Sequence, residues 1–239
     1  MEKHEIFEQA IGTKFKEHNK EDLLSIGIAI GTNQKTYKDL YIAYSRGEAK
    51  YENNPRRGAK IEVEFNLSED EILIKRLETV LKFNREQFLI YINLMMLCFG
   101  EIYPLGSVLE LDEELLTKEF LRASGVKDEE EGSVRVMITD RFVPVSEDND
   151  QFIIEYIARP FPYGEGTSMF LNRVSIKGMI HSGLADDVEE TFVQELRQEL
   201  VVSGKRSVAF LTDEELAGVI EERDKREDNE DNLLDGEVS

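Results

Sequence analysis

The sequence predicts an α+β fold in two parts: a mixed α/β N-terminal half with a buried helical pair, and a C-terminal half built on an antiparallel or mixed sheet with flanking helices. Three observations predict it. Apolar residues alternate along "KIEVEFNL" and "SVRVMITDRFVPV", the period of a half-buried strand. Apolar residues recur at helical spacing behind the capping-box patterns Ser68/Glu71 and Asp187/Glu190. The run "FLIYINLMMLCF" at 88–99 is apolar on nearly every side, as in a central helix.

Each element follows in order. Residues 2–18 place Ile6, Phe7, Ala10 and Ile11 on one helical face. "SIGIAIG" alternates Ile26, Ile28 and Ile30, which reads as a strand, and "TNQKT" as a turn. Tyr37, Leu40, Tyr41 and Tyr44 favour a helix, with a strand as the alternative for so tyrosine-rich a segment. "ENNPRRG" is a loop, and Ile61, Val63, Phe65 and Leu67 mark the cleanest strand. A helix from Ser68 with Ile72, Leu73, Leu77, Val80 and Leu81 on one face, broken at Asn84, pairs with the helix over 85–99. In the C-terminal half "GSVLEL" is a strand, and 112–125 is helical up to Gly125. The segments around 134–144 and 151–160 are strands, the latter ended by Pro160, and "MFLNRVSIKGMIHSG" is a further strand with a turn. The helix after Asp187 turns Val188, Phe192, Val193, Leu196 and Leu200 inward, so Phe192→Ala should cost about 3–5 kcal/mol. Thr212 and Glu215 start a last short helix, and the acidic tail beyond it is too apolar-poor to order, so deleting 222–239 should leave stability unchanged. The resulting division is 1–102, 103–210 and 211–239.

The chain has 239 residues, 41% hydrophobic and 33% charged, enough for substantial cores. Its net charge is −21, from 50 acidic and 29 basic residues. From Asp213 onward twelve acids face three bases, which is −9 of that total, so the remainder still carries −12. Such acidity disfavours nucleic acid and anionic membrane surfaces and favours a basic partner or plain solubility. The apolar run at 88–99 is shorter than the ~20 residues of a membrane span, and "MEKHEIFEQA" has no apolar signal core, which leads us to expect no membrane insertion and a cytoplasmic location. The single Cys98 lies within that run and reads as a small buried hydrophobe.

Chemistry-bearing patterns are sparse. Gly164 and Gly166 suggest a phosphate loop, but Met169 stands where a third glycine belongs, Glu165 would repel phosphate, and a β-like segment follows. His4, His18 and His181 have no ligand spacing, so neither a metal nor a cofactor is expected, and no Gly-x-Ser-x-Gly elbow occurs. No catalytic residue is assigned. Strand ends would bring Arg141 and Arg159 close to the proline-stiffened turn containing Phe161, Tyr163 and Glu165. That set reads either as an internal ion-pair network or as a recognition edge with arginine and aromatic anchors.

The segments "YPLGSVLEL", "VRVMITDRFVP", "IIEYIARPFPYGEG" and "MFLNRVSIKGMIHSGLADDVEETFVQEL" carry a family resemblance over about 100 residues. In order they resemble a family of small bacterial proteins of unknown function encoded beside LXG toxins in type VIIb secretion loci of Gram-positive bacteria. The matching positions are Pro104 to Val108, Met137 to Arg141, Tyr156 to Gly164 and Gly183 to Phe192. Asp140 stands where that family often has glycine, the 112–132 segment is longer than its tight hairpin, and the first 100 residues have no counterpart. The resemblance implies a non-enzymatic adaptor, targeting factor or chaperone that binds an LXG toxin or its secretion machinery; the recognition edge of Arg141, Arg159, Phe161, Tyr163 and Glu165 is the candidate partner-binding set. An immunity protein masking a basic toxin cleft is the alternative among binding proteins. An enzyme of unrecognised type around Arg141, Arg159, Tyr163 and His181 is the alternative from another class.

Overall fold

Three helices, each 12 residues long, open the chain: α1 (Lys3–Lys14), α2 (Lys20–Gly31) and α3 (Gln34–Ser45). In the computed structural model of the protein, residues 1–55, 58–118, 120, 133–146, 150–162 and 168–219 are described. The α1 face of Ile6, Phe7, Ala10 and Ile11 is buried as its spacing predicts. The α2 segment is not the strand that Ile26, Ile28 and Ile30 suggest. Asn19 caps it, accepting from the Glu21 and Asp22 amides, and Leu23, Ile26 and Ile30 turn inward at i, i+3 and i+7. Its glycines are contact points. A Cβ at Gly27 would come within 2.4 Å of the Phe7 ring, and one at Gly31 within 2.4 Å of Phe99. These two positions let α2 lie directly against the aromatic side chains of α1 and α4.

A four-stranded antiparallel meander follows: β1 (Lys50–Asn53), β2 (Ile61–Asn66), β3 (Glu71–Arg76) and β4 (Thr79–Phe83). This corrects the expected helical pair over 68–99, of which only the second member exists. Ile72 and Ile74, then Leu81 and Phe83, are buried on alternate positions of a hairpin. Its turn is Leu77-Glu78, with Leu77 at φ 54°. Neither residue is Gly, Asn or Asp, so the sequence carries no hairpin signal there. The Ser68/Glu71 pattern instead falls at a 3-10 turn, Leu67–Glu69, between β2 and β3. Helix α4 (Arg85–Phe99), capped by Asn84 and Gln87, is buried on every side from Leu94 to Phe99. It packs against α1, α2, β3 and β4.

The second sheet has six strands: β5 (Val108–Leu111), β6 (Arg135–Pro144), β7 (Phe152–Pro160), β8 (Met169–Leu171), β9 (Ile176–His181) and β10 (Arg206–Ser207). The order is β10-β7-β6-β5-β9, with β8 beside β7, all antiparallel except the two-residue β10. The expected single strand over 169–183 is two strands separated by a 3-10 turn, Arg173–Ser175. Residues 113–115 form a 3-10 turn, and most of the helix expected over 112–125 lies outside the described residues. Helix α5 (Asp187–Val202) starts from an Asp186 cap, one residue before the predicted Asp187 box. Residues 213–219 are helical behind the predicted Thr212/Glu215 box. The tail from 220 lies outside the described residues.

Two hydrophobic clusters result. The larger joins α1 to α4 and the meander to Phe142, Ile153, Val174, Leu200, Val201 and Phe210. The smaller lies within the second sheet around Leu109, Val136, Ile138, Tyr156 and Met169. Strand β7 serves both. Its alternation sends Ile153 and Glu155 to one face and Tyr156 and Ala158 to the other, and all four are buried. A bulge between Ile138 and Asp140 lets β6 do the same, with Ile138 in the smaller cluster and Phe142, at φ 50°, in the larger.

Candidate functional site

Of the five residues proposed from sequence, Arg141, Arg159 and Phe161 lie within the described residues. Arg141 sits opposite Tyr156 on the β6–β7 ladder and Arg159 opposite Met137. Their pairings are therefore three residue steps apart along β7, about 10 Å. Arg159 is exposed, and Phe161 is 41% exposed at the far end of the ladder, its amide donating to the Arg135 carbonyl. Tyr163 and Glu165 lie outside the described residues.

Arg141 has a partner that the sequence did not suggest. Its guanidinium binds Glu189 of α5 through two hydrogen bonds, 2.5 and 2.9 Å, and also donates to the Tyr103 carbonyl at 3.2 Å. The bidentate geometry gives direction as well as charge. The same guanidinium lies 5.1 Å from the centroid of the Phe192 ring, within cation–π range. Arg141 therefore clamps the start of α5 to β6 and supports Phe192 from below.

That support matters because α5 is turned differently from its predicted orientation. Arg197, Leu200 and Val201 are buried, with Val193 and Leu196 packed on the larger cluster. Val188 is 75% and Phe192 47% exposed, so the expected inward position of both is corrected. The reason is Arg197: its burial rotates the inward face toward 193, 197 and 200, which leaves 188 and 192 outside. Leu184, 77% exposed, precedes them. Leu105 joins the group because Gly183 lies against its backbone, where a Cβ would come within 2.0 Å of the Leu105 carbonyl oxygen. Along the same outward stripe, the next two turns carry exposed Glu195 and Glu199. The result is an apolar patch of Leu105, Leu184, Val188 and Phe192 running into an acidic strip.

The inward side of α5 explains why Arg197 is buried. Its guanidinium donates to the main-chain carbonyls of Leu97, Cys98 and Gly100 at the end of α4. Arg173, from the turn before β9, donates to the Met96 carbonyl at 2.9 Å and to the Tyr156 hydroxyl. Helix α4 has no basic residue in its own last turn, so two distant arginines satisfy its orphan carbonyls and the negative end of its dipole. Gly100 is required here, because a Cβ would lie 1.5 Å from Arg173 Nη1. Burial, then the neighbouring Arg173 charge, brings the Arg197 guanidinium down to about 10, which still leaves it charged at neutral pH.

A buried polar network sits beside this cap. Glu155 accepts from the Ser207 hydroxyl at 2.7 Å and from the Arg173 amide at 3.0 Å, while Asn93 bonds the Lys205 carbonyl and the Ser207 amide. Burial pushes the Glu155 carboxyl above its ordinary value despite the Arg173 charge. Cys98 is buried, and burial raises its thiol to about 12, an unreactive state. Among the described residues no group of three or more His, Cys, Asp or Glu is placed to hold a metal ion. No helix among them is long and apolar enough to cross a membrane.

Sequence reasoning missed Arg197, Arg173 and Glu155. Arg197 left a readable signal, since it falls between Val193 and Leu200 on an otherwise apolar helix face. Comparison with protein-family models, curated proteins and solved structures finds no match for this chain.

Proposed function

We propose that this protein is a non-enzymatic accessory protein, an adaptor or chaperone-like factor of a type VIIb secretion locus, that docks an LXG toxin segment or its secretion machinery on the outward face of α5. The observation that carries this reading is the exposed apolar set Leu105, Leu184, Val188 and Phe192. Clustered exposed apolar residues on a fold with filled cores mark an interaction surface, and an aromatic backed by an arginine is a typical anchor. The adjoining Glu195 and Glu199, on a chain of net charge −21, fit a partner segment that combines apolar residues with Lys or Arg.

In this role Arg141 is a positioning residue, since its hydrogen-bonding capacity is engaged by Glu189 and Tyr103. Co-purification with separate toxin fragments tests the proposal. An adaptor retains the N-terminal helical segment and leaves the C-terminal activity intact. An immunity protein retains the C-terminal domain and rescues cells from it. Retention of neither fragment removes both partner readings.

A further inference from the structure

A cleft of about 550 Å³ opens where the helices of the first half meet the second sheet. Tyr37, Met95, Met96 and Tyr103 contribute to its walls, and residues Ile176 to Met179 of β9 form one side. Among the described residues β9 is the end strand of its sheet, paired with β5 alone, and Lys38 donates to its first carbonyl, that of Ile176. Natural edge strands are usually blunted by charge, proline or cover. The end of β9 has none of the charge or proline: Met179 and Ile180 are 42% and 47% exposed, and His181 is exposed. Open space lies above Gly178, where a Cβ would meet nothing within 4 Å.

The cleft also reverses the charge of its surroundings. Lys35, Lys38, Arg173 and Lys177 line it against Asp39, Glu101 and Asp112, so four cations face three carboxylates in a chain of −21. Lys35, Lys38 and Lys177 already pair with Asp39, Asp112 and Glu110. Arg173 differs, because its Nε is buried and meets no acceptor. A buried unpaired donor attached to a cation is costly, and a carboxylate oxygen is its best complement.

We propose that β9 is a strand-addition site: an extended segment of another protein pairs with its free edge and directs an acidic residue, flanked by apolar ones, into this cleft. Main-chain hydrogen bonds would supply affinity, and the cleft would select the side chain. A second copy of this chain is the poorer occupant, because two molecules of charge −21 repel. The inference does not depend on the α5 face or on the identity of its partner.

The test selects phage-displayed random dodecapeptides on the full chain and synthesises the best one. We expect an Asp or Glu between apolar residues, and hydrogen-exchange protection gained within 176–181 when the peptide is bound. Gly178→Asp should weaken binding by about tenfold or more, because the new carboxylate repels the ligand's, while Gly178→Lys should retain binding. Phe192→Ala should leave this binding unchanged, which separates it from the α5 reading. The proposal is overturned if no peptide is selected above background, if protection appears elsewhere, if Gly178→Asp binds as wild type, or if β9 pairs with a second copy in a dimer abolished by Ile180→Lys.

Discussion

Helices α4 and α5 are nearly equal in length, 15 and 16 residues, but they meet solvent in opposite ways. Every residue of α4 from Leu94 to Phe99 is buried, and its C-terminal carbonyls are closed by Arg173 and Arg197. Helix α5 divides its apolar residues. Val193, Leu196, Leu200 and Val201 face the core, whereas Val188 and Phe192 face outward. The contrast separates residues the fold needs from residues it does not. Apolar side chains left outside a filled core are available to a partner, and the two arginines follow the same division: Arg197 completes the core helix, and Arg141 braces the outward face.

The sharpest way to break this contrast is Arg197→Ala. It leaves the Leu97, Cys98 and Gly100 carbonyls without that donor in a buried setting, and should cost about 3–5 kcal/mol in urea unfolding. A loss below about 1 kcal/mol would mean that water closes the end of α4 instead. Gly27→Val should come next, at about 1–3 kcal/mol, because the added side chain enters the space of Phe7 and Tyr91.

Glu155→Gln probes the buried network. A carboxyl whose folded pKa is raised binds more protons folded than unfolded, so it favours the folded state fully below its ordinary value. That contribution is lost as pH rises toward the elevated folded value. The variant should therefore gain stability relative to wild type as the melt is moved from acid to neutral pH. An unchanged difference between the two would place Glu155 in a more solvated setting.

On α5, Phe192→Ala should cost about 1 kcal/mol or less, since only the Arg141 contact and a partly exposed ring are lost. Val188→Lys should change stability by about 0.5 kcal/mol or less. A loss near 3 kcal/mol for either variant would put that side chain back in the core and remove the docking face.

Much of the architecture was legible in the sequence, and the exceptions have physical causes. Strands β2 and β6 announced themselves by alternation, while β7 was legible as a strand ended by Pro160 and α4 by its uninterrupted apolar run. The 68–83 segment misled because Ile72, Leu73, Leu77, Val80 and Leu81 satisfy helical spacing while the Leu77-Glu78 turn lacks a turn residue. The α2 segment misled because a helix packed closely through Gly27 and Gly31 can also alternate. For the site, Arg141 was legible as an ion-pairing residue, but Glu189 as its partner was not, since their pairing depends on how α5 crosses the sheet. The outward turn of Phe192 depended on one charged residue, Arg197, whose place on the apolar face was readable but whose carbonyl partners at the end of α4 lie about a hundred residues away in sequence.

The most direct test of the proposed docking face is titration calorimetry of the N-terminal helical fragment of an LXG toxin, the proposed partner, against the wild-type chain and the Val188→Lys/Phe192→Ala double variant, with melting temperatures measured alongside. The prediction is measurable binding by wild type and a loss of about tenfold or more in the double variant, with melting temperature nearly unchanged. Equal binding by both proteins would contradict the docking face, and no binding by wild type would contradict the partner itself.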